Sequence, residues 1–183
     1  MTTTAPTKTL ANLQAAFNGE SNARAKYLAF ATKARADGYA GVAVLFEAAA
    51  KAEEIHAKAH GEVIKKMGAQ PVAKIEAVTP GTTAENLAAA IKGETYERDV
   101  MYPDFIKTAK EENAPKAALW SFGNALAAEA EHAKLYTAAL ANLAQWKAAK
   151  TFLVCSICGF TAEQVGEKCP VCGNKRENFI TVK

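Results

Sequence analysis

An internal repeat constrains this chain more than anything else in it. Gly19–Tyr27 reads GESNARAKY and Gly93–Tyr102 reads GETYERDVMY; each has Gly-Glu, then Arg four residues after the Glu, then Tyr. Ala52–Lys58 (AEEIHAK) and Ala128–Lys134 (AEAEHAK) share the pattern A-E-x-x-H-A-K. Each half thus supplies a lone Glu followed, 33 or 35 residues later, by Glu-x-x-His. Residues three apart on a helix point within about 60° of each other. The Glu and His of each motif therefore share one helix face.

Up to about residue 150 the chain is dominated by Ala, Leu, Glu and Lys, all good helix formers. Periodicity and breakers predict four helices. The first runs from about Thr9 to Ala36 and stops at Asp37-Gly38; the second runs from Ala40 to Met67 and stops at Gly68. The third starts at Thr82-Thr83, where the Thr82–Glu85 spacing suits a capping box, and ends near Asn113. The fourth starts at Ala114-Pro115 and runs to about Ala149. Short turns make helices one and two, and three and four, antiparallel pairs. The stretch GAQPVAKIEAVTPG between the pairs is long enough to travel the length of a bundle. An all-α, ferritin-like four-helix bundle with one long crossover is the expected fold for residues 1–150. After Lys150 the composition turns to Cys, Gly and Pro in short β-like runs, which predicts a small second domain over residues 151–183.

If the repeated faces point into the bundle, Glu20, Glu53, His56, Glu94, Glu129 and His132 converge there. Four buried carboxylates without partners would be very costly, and two divalent cations would neutralise them. Carboxylates bridge two metals, and one imidazole per metal completes a site suited to iron or manganese. Two Glu plus two Glu-x-x-His is the ligand set of di-iron four-helix bundles. A single Glu-x-x-His in an Ala-rich helix is ordinarily a solvated face; the duplicated set is not. Glu54 lies about 100° from Glu53, and Glu131 is offset similarly from His132, so both are expected in solvent. His60 shares the arc of Glu53 and His56, one turn beyond. It is a lining or packing residue with an open question over proton relay.

The repeat breaks at Glu97, whose counterpart is Ala23; it could be a seventh ligand, available to one metal only. Glu20 to Tyr27 is seven residues but Glu94 to Tyr102 is eight, and Phe30 and Phe105 keep the offset. One inserted residue in a matched helix predicts a π-bulge between about Glu97 and Tyr102, with Pro103 adding a kink just after. Tyr27 and Tyr102 need hydroxyl partners, and the ligand carboxylates are good acceptors. Arg24 and Arg98 are expected as helix-surface partners, and Trp120, Trp146, Phe17, Phe46 and Phe122 as core.

All four cysteines lie in the last 29 residues, as Cys155/Cys158 and Cys169/Cys172, two Cys-x-x-Cys knuckles each followed by Gly. The spacing signals a tetrahedral all-thiolate site, for which zinc and iron are both suitable. The glycines let backbone amides approach the sulfurs. A one-electron iron attached to a di-iron bundle would make an electron path.

Together these residues resemble rubrerythrin over nearly the whole chain. Glu20, Glu53/His56, Glu94/Glu97 and Glu129/His132 are similar to its di-iron ligands, and the knuckles to its C-terminal rubredoxin-like domain. The Thr-rich first eight residues have no role in the resemblance. It implies a peroxidase reducing hydrogen peroxide to water at a di-iron centre, in oxidative-stress protection. One mononuclear iron on four cysteine thiolates would relay electrons, ultimately from NAD(P)H through a separate reductase or rubredoxin. It implies that one iron exchanges His56 for Glu97 on oxidation, since a carboxylate suits Fe(III) and an imidazole Fe(II). It also implies a homodimer in which one subunit's thiolate-bound iron lies near the other's di-iron site, because transfer along a bundle would be slow.

The net charge of +3 gives no basic stripe for nucleic acid. No stretch approaches the roughly 18 apolar residues of a membrane span, and the N-terminus has no apolar run of a secretory signal. A cytoplasmic protein is expected. Two rival readings are a ferroxidase or iron store, which needs no electron input, and a zinc-ribbon interaction module, which would be redox-silent.

Overall fold

The computed structural model describes residues 7–183. Most of the Thr-rich N-terminus, residues 1–6, lies outside the described residues. Helix α1 (Lys8–Ala36) begins at Thr7, whose side chain accepts a hydrogen bond from Leu10 N. The Glu112 carboxylate accepts from Lys8 N, Thr9 N and the Thr9 hydroxyl, placing a negative charge on the same helix end. α2 (Ala40–Lys66) follows after Asp37 and Gly38, the glycine at φ 83°. α1 and α2 form the most extensive helix pair of the molecule.

The crossover carries no regular structure from Gly68 to Gly81, yet it is pinned along α1. Gln14 donates to Gln70 O; Asn18 accepts from Lys74 N; Asn22 donates to Lys74 O and accepts from Glu76 N. Gln14, Asn18 and Asn22 are spaced four apart, so one stripe of α1 supplies the partners this backbone needs.

α3 (Thr83–Tyr96) starts with both bonds of the Thr82–Glu85 capping box formed. A π-helical turn spans Glu97–Met101, and Tyr102 N donates to Glu97 O. α4 (Tyr102–Glu111) continues the same rod, with Pro103 in its first turn. The π turn is where the sequence offset requires it. α5 (Lys116–Ala141) completes the four-helix bundle.

α5 ends at Ala141, eight residues short of the expected Ala149. Asn142 leaves the helix with φ −142° and ψ 60°, and Leu143–Trp146 form a 3-10 turn. Helix propensity favours continuing, but tertiary packing overrides it: Trp146 turns inward and stacks on Phe152, ring centroids 6.2 Å apart. A Cβ on Gly41 would lie 2.6 Å from Ala148 O and 2.9 Å from Trp146 O, so only glycine lets the connector cross α2 there. Trp120 is corrected outright: it is 50% exposed, whereas Trp146, Phe46 and Phe122 are buried and Phe17 is half-buried.

The C-terminal segment is a three-stranded antiparallel sheet in the order β2-β1-β3, with β1 Phe152–Cys155, β2 Thr161–Ala162 and β3 Phe179–Val182. Phe152 and Val154 join the bundle's own apolar core, with Ile180 and Val182 packed against it. The sheet is therefore seated on α2 and α5.

Candidate metal centres

The bundle delivers six side chains to one point because each motif is a buried stripe on its helix. Glu20 comes from α1, Glu53 and His56 from α2, Glu94 from α3, and Glu129 and His132 from α5; all are buried. One atom from each of Glu20, Glu53, His56 and Glu129 lies within 4.8 Å of the others, as does a second set of Glu53, Glu94, Glu129 and His132. Glu53 and Glu129 are shared between the sets, as bridging carboxylates would be. Glu97 is in neither set. It is half-buried, lining a cleft of about 380 Å³ with Asn22, Ala23, Lys26 and the crossover residue Glu76.

The chemistry of the cluster fits cations. Glu20 Oε2, Glu53 Oε1, Glu94 Oε2 and Glu129 Oε1 are buried and receive no hydrogen bond. His56 Nδ1 lies 3.0 Å from both Glu53 Oε2 and Glu129 Oε1, and His132 Nδ1 lies 2.8 Å from Glu129 Oε2. Burial followed by the surrounding carboxylates pushes Glu53 well above the usual carboxylate range, and burial does the same to Glu129 and Glu97. Burial opposes charge on Glu20, but His56 and His60 hold its pKa well down; Glu94 is lowered likewise, by His132 against burial. Burial also works against charge on His56, yet Glu129, Glu20 and Glu53 raise it well above its ordinary value. The field that would hold protons here is the field that holds metal.

Two tyrosines cross the centre. Tyr27 of α1 donates to Glu94 Oε1 at 2.5 Å, and Tyr102 of α4 donates to Glu20 Oε1. Each hydroxyl serves the lone Glu of the opposite half, an arrangement that the π turn makes symmetric by bringing Tyr102 into register. Around them the cores match: Phe46 packs on Tyr27 and Phe30, and Phe122 on Tyr102 and Phe105. Glu54 and Glu131 are bystanders, bonded to Lys51 and Lys134. Arg98 pairs with Asp99 instead of a helix neighbour four residues away.

The four cysteines form the second cluster. Cys155 Sγ and Cys172 Sγ are 3.6 Å apart, Cys158 Sγ and Cys169 Sγ 3.5 Å. A tetrahedron with metal–sulfur bonds of about 2.3 Å has edges of about 3.8 Å, so the set is nearly preformed; disulfides at about 2.05 Å are absent among these four. The amides of Gly159 and Gly173 donate to the carbonyls of Cys155 and Cys169 and so tighten the knuckles. As the spacing predicts, the backbone amides of Phe160 and Asn174 just beyond them reach the sulfurs of Cys158 and Cys172.

The two clusters touch within one chain. His56 Nε2 lies 3.0 Å from the carbonyl of Cys158, and His132 Nε2 lies 3.2 Å from Thr161 Oγ1, whose hydroxyl donates to Gly159 O. With Nε2–H donated outward, each Nδ1 is the nitrogen aimed at the carboxylates, holding a proton for them or giving its lone pair to a metal in that proton's place. The knuckle thus fixes the tautomer of His56. Gly159, at φ 76°, makes the approach possible, since a Cβ there would overlap His56 Nε2. The resemblance implies an approach of the two centres between subunits; within one chain, too, the tail folds back over its own bundle and brings them together. Sequence reasoning missed this contact, and the roles of Gly159 and Thr161 with it.

A family model described as rubrerythrin matches residues 11–140, and one described as the rubrerythrin rubredoxin-like domain matches residues 154–180. The chain belongs to the rubrerythrin family. It is 39% identical over 178 residues to nigerythrin of Nitratidesulfovibrio vulgaris, covering 96% of this chain and 87% of that one. It is 34% identical over 182 residues to rubrerythrin of Porphyromonas gingivalis, covering 96% and 90%. The structure superposes on fully reduced, all-ferrous nigerythrin with a TM-score of 0.88 and 37% identity, over 98% of this chain and 89% of that one. A bacterioferritin from Mycobacterium tuberculosis, at 19% identity and a TM-score of 0.69 over 77% of this chain and 89% of that one, shares the bundle fold. Like the family, the chain carries a glutamate–histidine di-iron site and a rubredoxin-like four-cysteine iron site. Among the described residues no helix is long and apolar enough to cross a membrane.

Proposed function

We propose that this chain is a di-iron peroxidase that reduces hydrogen peroxide to two water molecules, using two electrons and two protons, and so protects against oxidative stress. The observation that carries the reading is the contact between His56 Nε2 and the Cys158 carbonyl. It joins the two metal clusters through one hydrogen bond, an arrangement an iron store has no use for. We assign Glu20, Glu53, His56 and Glu129 to one metal and Glu53, Glu94, Glu129 and His132 to the other. Cys155, Cys158, Cys169 and Cys172 hold the third. We place the boundary between the domains after Lys150.

When bound, the two irons supply the electrons that split the O–O bond. The protein's residues do the rest. Tyr27 and Tyr102 hold Glu94 and Glu20 in place by donating to them. The aromatic packing beneath excludes water on that side of the centre. The cleft beside Glu97 is the open side, and Lys26 lines it with a positive charge. Glu97, raised by burial and then by Glu20, Glu129 and Glu94, can hold a proton at its carboxyl near an arriving peroxide. Once deprotonated it is the carboxylate available to replace His56. The His56–Cys158 hydrogen bond would be the path by which an iron held by the four cysteines returns electrons one at a time. NAD(P)H is the ultimate donor, through a separate reductase or rubredoxin acting in the cytoplasm. The chain is proposed to work as a homodimer, with the bridge seen here lying within one chain.

The test is turnover with the cysteine site altered. Iron-loaded protein with an NAD(P)H-dependent donor should reduce peroxide repeatedly. Protein carrying zinc at the four cysteines should oxidise its reduced di-iron centre once and then stop. Equal repeated turnover by both forms would contradict the relay, and failure of peroxide to oxidise the reduced centre at all would contradict the peroxidase reading.

A further inference from the structure

His60 has no part in the scheme above, yet it is fully buried and sits in a line of hydrogen bonds that ends on a metal-facing carboxylate. Its Nε2 lies 3.1 Å from the Tyr102 hydroxyl, and its Nδ1 lies 2.7 Å from Ser121 Oγ. Tyr102 in turn donates to Glu20. The directions follow from the groups. An ionised carboxylate can only accept, so the Tyr102 proton points at Glu20. The phenol oxygen must then accept, so His60 Nε2 carries a proton. In the neutral ring Nδ1 is an acceptor, and Ser121 donates to it.

The other half of the repeat has no such line. The counterpart of His60 is Tyr136 and that of Ser121 is Leu45, both fully buried. Tyr136 packs against Tyr27 with ring centroids 5.6 Å apart, and its hydroxyl has no hydrogen-bond partner among the described residues. Outside the π turn and Glu97, the six ligands and the aromatic packing are duplicated, but the polar pair occurs once.

We propose that His60, oriented by Ser121, is a positioning residue that acts through Tyr102 to make the two irons unequal. A donor to the phenol oxygen strengthens the O–H donated onward, because hydrogen bonds in a chain polarise one another. Glu20 then gives less charge to its metal than Glu94 gives to the other. The metal on the Glu20 and His56 side is held with less negative charge, which favours its ferrous form. That is the side on which Glu97 stands ready to replace His56. The inference rests on the di-iron centre, not on which oxidant the centre reduces.

Two measurements on the full chain test it. With zinc at both centres, which leaves the protein diamagnetic, long-range proton–nitrogen NMR of nitrogen-15 histidine should show His60 neutral with its proton on Nε2. In S121A the Nδ1 resonance should move while Nε2 stays protonated. A proton on Nδ1 alone, or a doubly protonated ring, would overturn the assignment. In the iron-loaded protein, redox titration of H60L should lower the midpoint of one iron and leave the other unmoved. H60Q, whose amide can both donate to Tyr102 and accept from Ser121, should stay close to the parent. If H60L does not fold, S121A should show a smaller shift in the same direction. Unchanged midpoints in H60L, or in S121A where it stands in, would sink the proposal, as would equal shifts in H60L and H60Q. No peroxide is used, so these outcomes stand apart from those of the peroxidase test.

Discussion

At the scale of single residues, the chemistry of this chain was legible wherever a residue type is rare in a helix interior. Glu20, Glu53, His56, Glu94, Glu129 and His132 can be picked out from their repeated spacing, and the structure brings all six together. Trp120 is where register outweighs size. It lies nine residues before Glu129, about half a turn away on the helix surface, and is exposed; Phe122, seven residues before, is nearly aligned and buried. Size alone suggested the core, and angle decides against it. The tyrosines give a direct test at this scale. Tyr27→Phe or Tyr102→Phe removes a donor to a buried carboxylate, a loss on the order of 1–3 kcal/mol. Each variant is expected to bind metal in the bundle roughly tenfold more weakly, as read by competition with a chelator, with the cysteine site unaffected. Unchanged affinity in both would show that the hydroxyls do not support the ligands.

At the scale of elements, the one-residue mismatch between the halves located the π turn at Glu97–Met101 before any coordinates, because Tyr27 and Tyr102 must face the same centre. Deleting the exposed Val100 should convert the turn to regular helix. Glu94 and Tyr102 would then be seven residues apart, the spacing of Glu20 and Tyr27 in regular helix, so Tyr102 should keep its place on Glu20 while Glu97 shifts in the straightened turn. Metal analysis of that variant is expected to show bundle iron and cysteine-bound iron both kept; loss of bundle iron would contradict the one-residue-insertion account of the turn. Other element-level features were hidden for physical reasons. The clamp of Gln14, Asn18 and Asn22 on the crossover looks like an ordinary polar helix face until its backbone partner is known. The end of α5 at Ala141 depends on Trp146 finding Phe152, a contact across the domain junction that no local propensity encodes.

At the scale of the molecule, the bundle is a box for charge, and its stability should report that. Without metal, Glu53, Glu129, Glu97, His56 and His132 have folded-state pKa values above their ordinary ones, while Glu20, Glu94 and, through burial, His60 are lowered. A raised group contributes stability below its unfolded pKa and loses it as pH rises toward the folded value. Carboxylates with lowered values have given their full contribution by the ordinary glutamate pKa, so above it the raised groups of the centre, opposed only by His60, set the sign. Metal-free protein should therefore lose stability as pH climbs from about 4.3, the ordinary glutamate value, through neutrality. With metal bound, the carboxylates are ionised and paired, and binding releases protons, so the loaded protein should hold its stability over the same range. Denaturant melts of both forms at several pH values check this; parallel profiles would contradict it. What the sequence could not disclose at this scale is how the two domains meet. Each ligand set was readable within its own segment, whereas the fold-back that puts Cys158 against His56 depends on the path of residues 142–151.

The central claim is that electrons pass between the two centres through that contact. Gly159→Ala is the most direct probe, because a Cβ would strike His56 Nε2 while the four cysteines stay in place. Fully reduced protein would be mixed rapidly with limiting hydrogen peroxide, and the visible band of the oxidised cysteine-bound iron followed in time. The parent is expected to develop the band within one turnover of the di-iron centre. Gly159→Ala should retain the band in fully oxidised protein yet develop it at least about tenfold more slowly, the equivalent of about 1.4 kcal/mol on the barrier. Equal rates in the two proteins would show that the electrons take another path.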